Sequence, residues 1–287
     1  ALALGADNYV FNVEAISYRG PAISSGQAQV YLDAVYLHDS DKGFLYSGTS
    51  SPCVVINSII ADNVTAAVHI SAGNTAQSLI SGTVLYGAEN KLGIGLNVAT
   101  GTTDLKSKNN IVYGFTTGVN HADVQTVGFD DYNAYFNNTT DATNWQKGQH
   151  DIALNPSFTD TTQITGTGAT VSGSTLTGSA GTPFSTVEAN VDFLVMTAGT
   201  GATVNTKFLI TSVGGGGASI TCSSALGGSG TDIVWQITTG HDFSVGTNMK
   251  AAGFPGAFPG SATTGYTDIG VQRQEAGGGG SQRVIGG

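Results

Sequence analysis

Apolar residues in the first half of the chain gather in short clusters that return at a period in the twenties. Four segments align: VYLHDSDKGFLYS from Val35, IIADNVTAAVHIS from Ile59, VLYGAENKLGIGL from Val84 and IVYGFTTGVNH from Ile111, with a degenerate fifth, YNAYFNN, from Tyr132. Their starts lie 24, 25, 27 and 21 residues apart. Each opens on an apolar pair, crosses a polar turn, then places a small residue before another apolar one: Gly43-Phe44, Ala67-Val68, Gly93-Ile94, Gly118-Val119. The pattern predicts two short strands per repeat joined by a turn.

A repeat of this length, with β-branched residues and no helical periodicity, leaves leucine-rich repeats and parallel β-helices as the main solenoids. The L-x-x-L-x-L frame of the first is absent. Residues 1–160 are therefore predicted to form parallel β-helix rungs, stacked at about 4.8 Å into a rod segment of roughly 25 Å. Asn57, Asn63, Asn90, Asn109, Asn110 and Asn133 recur near the turns. Side-chain amides in such places hydrogen-bond turn backbone, which predicts a structural role for them.

DIALNPSFTD at residues 151–160 reads as the start of a phrase whose continuation, HDFSVGTNMKAAG, waits until His241. Between them, residues 161–240 shift to Gly, Thr and Ser, with candidate strands at 169–176, 192–197, 206–213, 219–222 and 232–237. Five short strands separated by glycine turns predict an inserted antiparallel sandwich or barrel. Exposed loops tolerate such insertions when the flanking ends lie close together.

DYNAYFNN, GQHDIALNPSF, HDFSVGTNMKAAG and TDIGVQRQE resemble the closing coils of right-handed parallel β-helix proteins of the pectate-lyase-like superfamily. The likeness covers about residues 9–160 and 241–275 and marks fold better than activity. It implies an all-β chain with residues 241–275 as the closing coil. The ending GVQRQEAGGGG is similar to β-helix structural proteins of tailed bacteriophages, which implies a place in a virion. The Asn-Thr-Asp, Gly-His-Gly and Arg-Ile-Lys signatures of polygalacturonases do not occur.

Charge narrows the partners. Only 10% of the 287 residues are charged, and 10 basic against 20 acidic side chains leave a formal net charge of −10. A nucleic-acid surface needs clustered Lys and Arg, and Lys106 with Lys108 are too few to make one. No apolar run reaches the roughly 18 residues of a membrane span. The chain opens on Ala without a signal-peptide pattern, which predicts a processed or truncated N-terminus. Cys53 and Cys222 stand 169 positions apart in different modules and are expected as buried small hydrophobes rather than a disulfide or metal pair.

Candidate chemistry is thin. If the chain is a polysaccharide depolymerase, its acids are Asp39, Asp62 and Asp130, because glycoside hydrolysis needs two carboxylates flanking the bond. Asp39, Asp41 and Asp62 fall on stacked turns. Asp130 and Asp131, adjacent on a strand, point to opposite faces and do not converge. Asp39 to Gly43 starts like a calcium loop but lacks its third acid and closing Glu, so a polar turn is the better reading. The five histidines show no ligand spacing, and no cofactor motif occurs. Tyr113, Tyr135 and Trp145 are the aromatics that a carbohydrate-binding module would expose, although rung core is the commoner use of such residues.

The tail, residues 276–287, offers glycine and almost nothing to bury. It is expected to be held by its own rod or by a neighbouring subunit, with Val284 and Ile285 as anchors and Arg273 or Arg283 as polar clasps. Together these features predict a non-catalytic virion protein, a spike, fibre or capsid-decoration subunit. It would associate with itself as a homotrimer, with other virion proteins and with a host-surface glycan. A secreted or virion-borne depolymerase is the alternative.

Overall fold

The computed structural model describes residues 2–5, 7–17, 20–26, 29–71, 73–87, 91–102, 104–123, 128–158, 164–190 and 192–238, together with Phe243 and Met249. The first half is a parallel β-solenoid of about six turns built from three sheets. Sheet A comprises Leu2–Leu4, Pro21–Ser25, Lys42–Tyr46, Ala66–Ile70, Ile94–Val98, Thr117–His121 and Thr140–Thr143. Sheet B comprises Asn8–Phe11, Val30–Asp33, Cys53–Ile56, Ser78–Ser81, Leu105–Lys108 and Gly128–Asp131. Sheet C comprises Glu14–Ile16, Tyr36–His38, Ile59–Ala61, Val84–Tyr86, Ile111–Tyr113 and Ala134–Phe136.

Each rung thus carries three strands, not the two that the sequence pattern predicts. The overlooked strands are those of sheet B, whose outward positions hold Lys106, Lys108 and Phe129 and dilute the apolar signal. Register differs in detail as well. Tyr36 rather than Val35 pairs with Ile59, Leu96 rather than Ile94 with Val68, and Ala134 rather than Tyr132 with Ile111.

Two regularities make the stack possible. Sheet B passes into sheet C through a two-residue corner whose first member is left-handed in every rung: Asn12, Ala34, Asn57, Gly82, Asn109 and Tyr132, with φ between +50° and +60°. Asn and Gly suit that conformation, while Ala34 sits between rungs on either side and Tyr132 between the preceding rung and the closing segment, where it stacks on His150. The second corner residue satisfies a buried N–H of the rung before it. The N–H of Val35 donates to Ser58 Oγ (3.2 Å), that of Thr83 to Asn110 Oδ1 (3.0 Å) and that of Asn110 to Asn133 Oδ1 (2.9 Å). This is the structural role expected for Asn110 and Asn133. Asn90 lies outside the described residues.

The other regularity is a column of small residues in sheet A, Ala22, Gly43, Ala67, Gly95 and Gly118, brought into line by the strand register. A Cβ on Gly43 would lie 2.2 Å from Ile60 Cγ2 and 2.7 Å from the Ala67 carbonyl oxygen, so nothing larger than glycine fits there. Inside the coil, stacked residues such as Ile23, Phe44, Val68, Leu96 and Val119 form one continuous core.

The closing segment after Thr143 folds over the last rung. Trp145 joins the solenoid core, and Ile152 extends sheet C by one bridge to Ala134. Phe158, Phe243 and Met249 lie on the outer face of sheet C, against Tyr86 and Tyr113. The remainder of the expected closing coil at 241–275 and the whole tail lie outside the described residues.

Residues 164–238 form a closed six-stranded antiparallel barrel, in the order Ile164–Ser172, Thr175–Thr177, Ser219–Cys222, Lys207–Gly214, Phe193–Ala198 and Gly230–Thr238. The single strand expected at 169–176 is a hairpin turning at Gly173, whose φ is +60°. Its core of Val171, Leu176, Phe184, Met196, Ile220 and Trp235 is separate from that of the solenoid. Among the described residues no helix is long and apolar enough to cross a membrane.

Candidate functional site

Three places in the molecule gather chemistry-bearing side chains. The first is the corner between sheets C and A. Asp39 and Asp62 stack there on successive rungs, both left-handed (φ +52° and +54°), with Gly114 and Asn137 in the same column. Asp and Asn tolerate this conformation through local hydrogen bonds, which accounts for their presence. Asp39 is not available to a substrate. Lys207 of the barrel reaches across to it (Nζ to Oδ1, 2.7 Å), and His38 Nδ1 bonds its other oxygen at 2.6 Å.

His38 is in turn held by Glu14 at 3.0 Å, so the junction is a chain of alternating charges from barrel to solenoid. Burial resists ionisation of Asp39, but the Lys207 ammonium beside it outweighs burial and holds the carboxyl well below the usual range. Burial likewise opposes charge on His38. The carboxylates of Asp39 and Glu14 overcome it and raise the imidazole to about 9. Asp62 is 5% exposed, and its backbone N–H donates to the Tyr86 carbonyl. Asp41, the second acid of the Asp39–Gly43 fragment, is bonded to Lys42 and Thr65. Among the described residues no three potential ligands converge on a metal position.

The second place is the inside of the closed end. Asp130 points into the coil while Asp131 points out, as their adjacency on a strand requires. Tyr135 Oη donates to Asp130 at 3.1 Å, Asn133 Nδ2 donates to it at 2.9 Å, and Asp151 shares Asn133 from the other side. Burial, reinforced by the neighbouring Asp151, raises the Asp130 carboxyl to about 8, so it keeps a proton at neutral pH. Asp130 lies three rungs along the stack from Asp62 and four from Asp39. The structure therefore brings two of the three candidate acids together and leaves the third apart. All three are buried.

The third place is the outer face of sheet B. Strand alternation turns one file outward through Tyr9, Tyr31, Val54, Leu79, Lys106 and Phe129, and a second through Phe11, Asp33, Ile56, Ser81, Lys108 and Asp131. The middle of this face is a groove of about 770 Å³, floored by Val54, Ile56 and Leu79 and bounded by Tyr31, Pro52, Lys106, Lys108 and Phe129. Tyr9 and Phe11 beyond it are 63% and 59% exposed. The aromatics expected on a binding surface are elsewhere. Tyr135, on an inward strand position, and Trp145, in the closing segment, belong to the solenoid core, and Tyr113 is covered by Phe158.

Cys53 and Cys222 are free and buried in separate modules, and burial pushes their thiols up to about 11 and about 12. Arg273, Arg283, Val284 and Ile285 lie outside the described residues. No family model, curated protein or solved structure matches the chain. The parallel β-helix is compatible with a spike, a fibre or a polysaccharide-acting protein.

Proposed function

We propose that the chain is a non-catalytic structural subunit of a tailed-phage particle, a β-helical spike, fibre or capsid-decoration protein acting in assembly, stabilisation or host-surface attachment. The observation that carries this reading is the use to which the carboxylates are put. Asp39 is closed in an ion pair that ties barrel to solenoid, Asp62 occupies a buried corner, and Asp130 holds a proton inside the coil. A depolymerase needs a carboxylate pair facing the glycan, whereas the long outer face of sheet B offers apolar and aromatic side chains suited to association.

The test incubates the purified chain with a panel of bacterial surface polysaccharides and follows their chain length by light scattering. No shortening is expected. Shortening that disappears in Asp62→Asn at unchanged melting temperature would replace this reading with a depolymerase.

A further inference from the structure

The outer face of sheet B carries a charge pattern that matches its own reverse. Near the first rungs it holds Asp33, whose carboxylate accepts from two neutral donors, Tyr9 Oη at 2.9 Å and Asn57 Nδ2 at 3.1 Å. Toward the last rungs it holds Lys106 and Lys108. Between them lie Val54, Ile56 and Leu79, with Ser81 in the second file and Gln77 at the groove's margin as the hydrogen-bonding side chains there. A saccharide laid along this mostly apolar floor would replace little of the hydration it loses. A second apolar sheet face loses no such hydration.

We propose that this face is an isologous interface on which two copies of the chain pack with their solenoid axes antiparallel. A two-fold axis along the strand direction keeps each file opposite itself and reverses the order of rungs. Rung by rung, Tyr9 then meets Phe129 of the second copy, Tyr31 meets Lys106, and Val54 meets Leu79. In the neighbouring file Asp33 meets Lys108, Ile56 meets Ser81, and Phe11 meets Asp131, whose carboxylate His150 already holds. Each match occurs twice by symmetry. The long Lys106 side chain extends over the Tyr31 ring of the other copy, its stem within the groove and its ammonium against the ring face.

This inference rests on the structural reading above and replaces its threefold order. Three rods parallel about a common axis keep rungs in register, which sets Lys106 and Lys108 against their own images. The antiparallel pair sets them against Tyr31 and Asp33. The strip runs about 24 Å over five rung spacings of ~4.8 Å. A face that short and two side chains wide is at the small end of specific interfaces, so the pair is expected to dissociate on dilution.

Sedimentation of the full chain over a wide concentration range tests this, with four variants. The expected result is a monomer–dimer equilibrium. Asp33→Lys and Lys108→Asp each weaken it about tenfold or more, by placing like charges together. The double exchange, Asp33→Lys with Lys108→Asp, restores it. Lys106→Ala weakens it without lowering the melting temperature. A trimer, or a dimer that the double exchange fails to restore, would overturn the interface and leave the structural reading standing. A monomer at every concentration that binds soluble polygalacturonate through Lys106 overturns the interface in favour of an anionic glycan. A monomer that shortens a glycan overturns both.

Discussion

The two ends of the solenoid are built from the same three-strand rung and finished in different ways. At the C-terminal end Trp145 seals the core, Ile152 continues sheet C, and Asp151 accepts the corner N–H of Asn133 at 2.7 Å. At the N-terminal end, strands Leu2–Leu4, Asn8–Phe11 and Glu14–Ile16 have no partner along their outer edges among the described residues. Leu2, Tyr9, Phe11 and Ile16 are exposed there. What steadies this end is lateral. The barrel grips the second rung through Lys207 and Asp39, and the first through His38 and Glu14. Among the described residues, the last rungs are thus secured by the closing segment and the first two by a neighbouring module. A solenoid can protect its rungs by either means, with different sensitivities to mutation and pH.

The largest expected effects break one end at a time. Trp145→Ala should cost about 3–5 kcal/mol by emptying the plug of the core, with loss of hydrogen-exchange protection in the last rungs first. Lys207→Met should cost up to a similar ~3–5 kcal/mol by leaving buried Asp39 with His38 as its remaining cation. Here the first two rungs should lose protection while the barrel keeps its own. Loss of protection at the opposite end in either variant would refute the division of labour.

The pH dependence sharpens the comparison. His38 is raised from 6.5 to about 9, so the junction's contribution is complete below pH 6.5 and lost as pH rises through about 9. Asp130, raised from 3.8 to about 8, contributes fully below 3.8 and loses that contribution as pH rises through about 8. Asp130→Asn removes the second effect alone. At pH 9 this variant should exceed the parent in stability by roughly 1–3 kcal/mol, the scale of one poorly satisfied buried polar group. Urea melts at pH 6 and 9 measure it, and a variant no more stable than the parent at pH 9 would contradict the proton held by Asp130. The smallest effect is expected from Phe11→Ser on the first rung, within about 0.5 kcal/mol because the ring is already in solvent. The same variant should weaken self-association in sedimentation.

Much of this was legible in the sequence, for physical reasons that also set its limits. Sheets C and A announce themselves because each rung repeats an apolar pair and a small residue that must sit under a neighbouring carbonyl. Sheet B does not, since LKSK at 105–108 and GFDD at 128–131 keep only alternate positions for the interior. Register slipped at Gly93-Ile94 because the sheet C to sheet A corner varies in length, whereas the two-residue corner does not. The acids Asp39 and Asp62 were read correctly as stacked. The burial of Asp39 was not readable, because it depends on Lys207, 168 residues away. Tyr113, Tyr135 and Trp145 take the core positions that are the commoner use of such aromatics, and the outward ones are Tyr9, Tyr31 and Phe129, which only the third strand of each rung presents.

The unequal anchoring of the first and last described rungs also gives this stretch of the rod a mechanical polarity. Tension on the first strands would meet rungs joined to the next only by short ladders, and could peel them one at a time like thread from a spool. Each released coil of 23 residues, the Tyr36 to Ile59 repeat, would pay out roughly 80 Å of chain. The grip of Lys207 on Asp39 stands as a ratchet at the second coil. The same pull at the far end would first have to draw an indole out of the core.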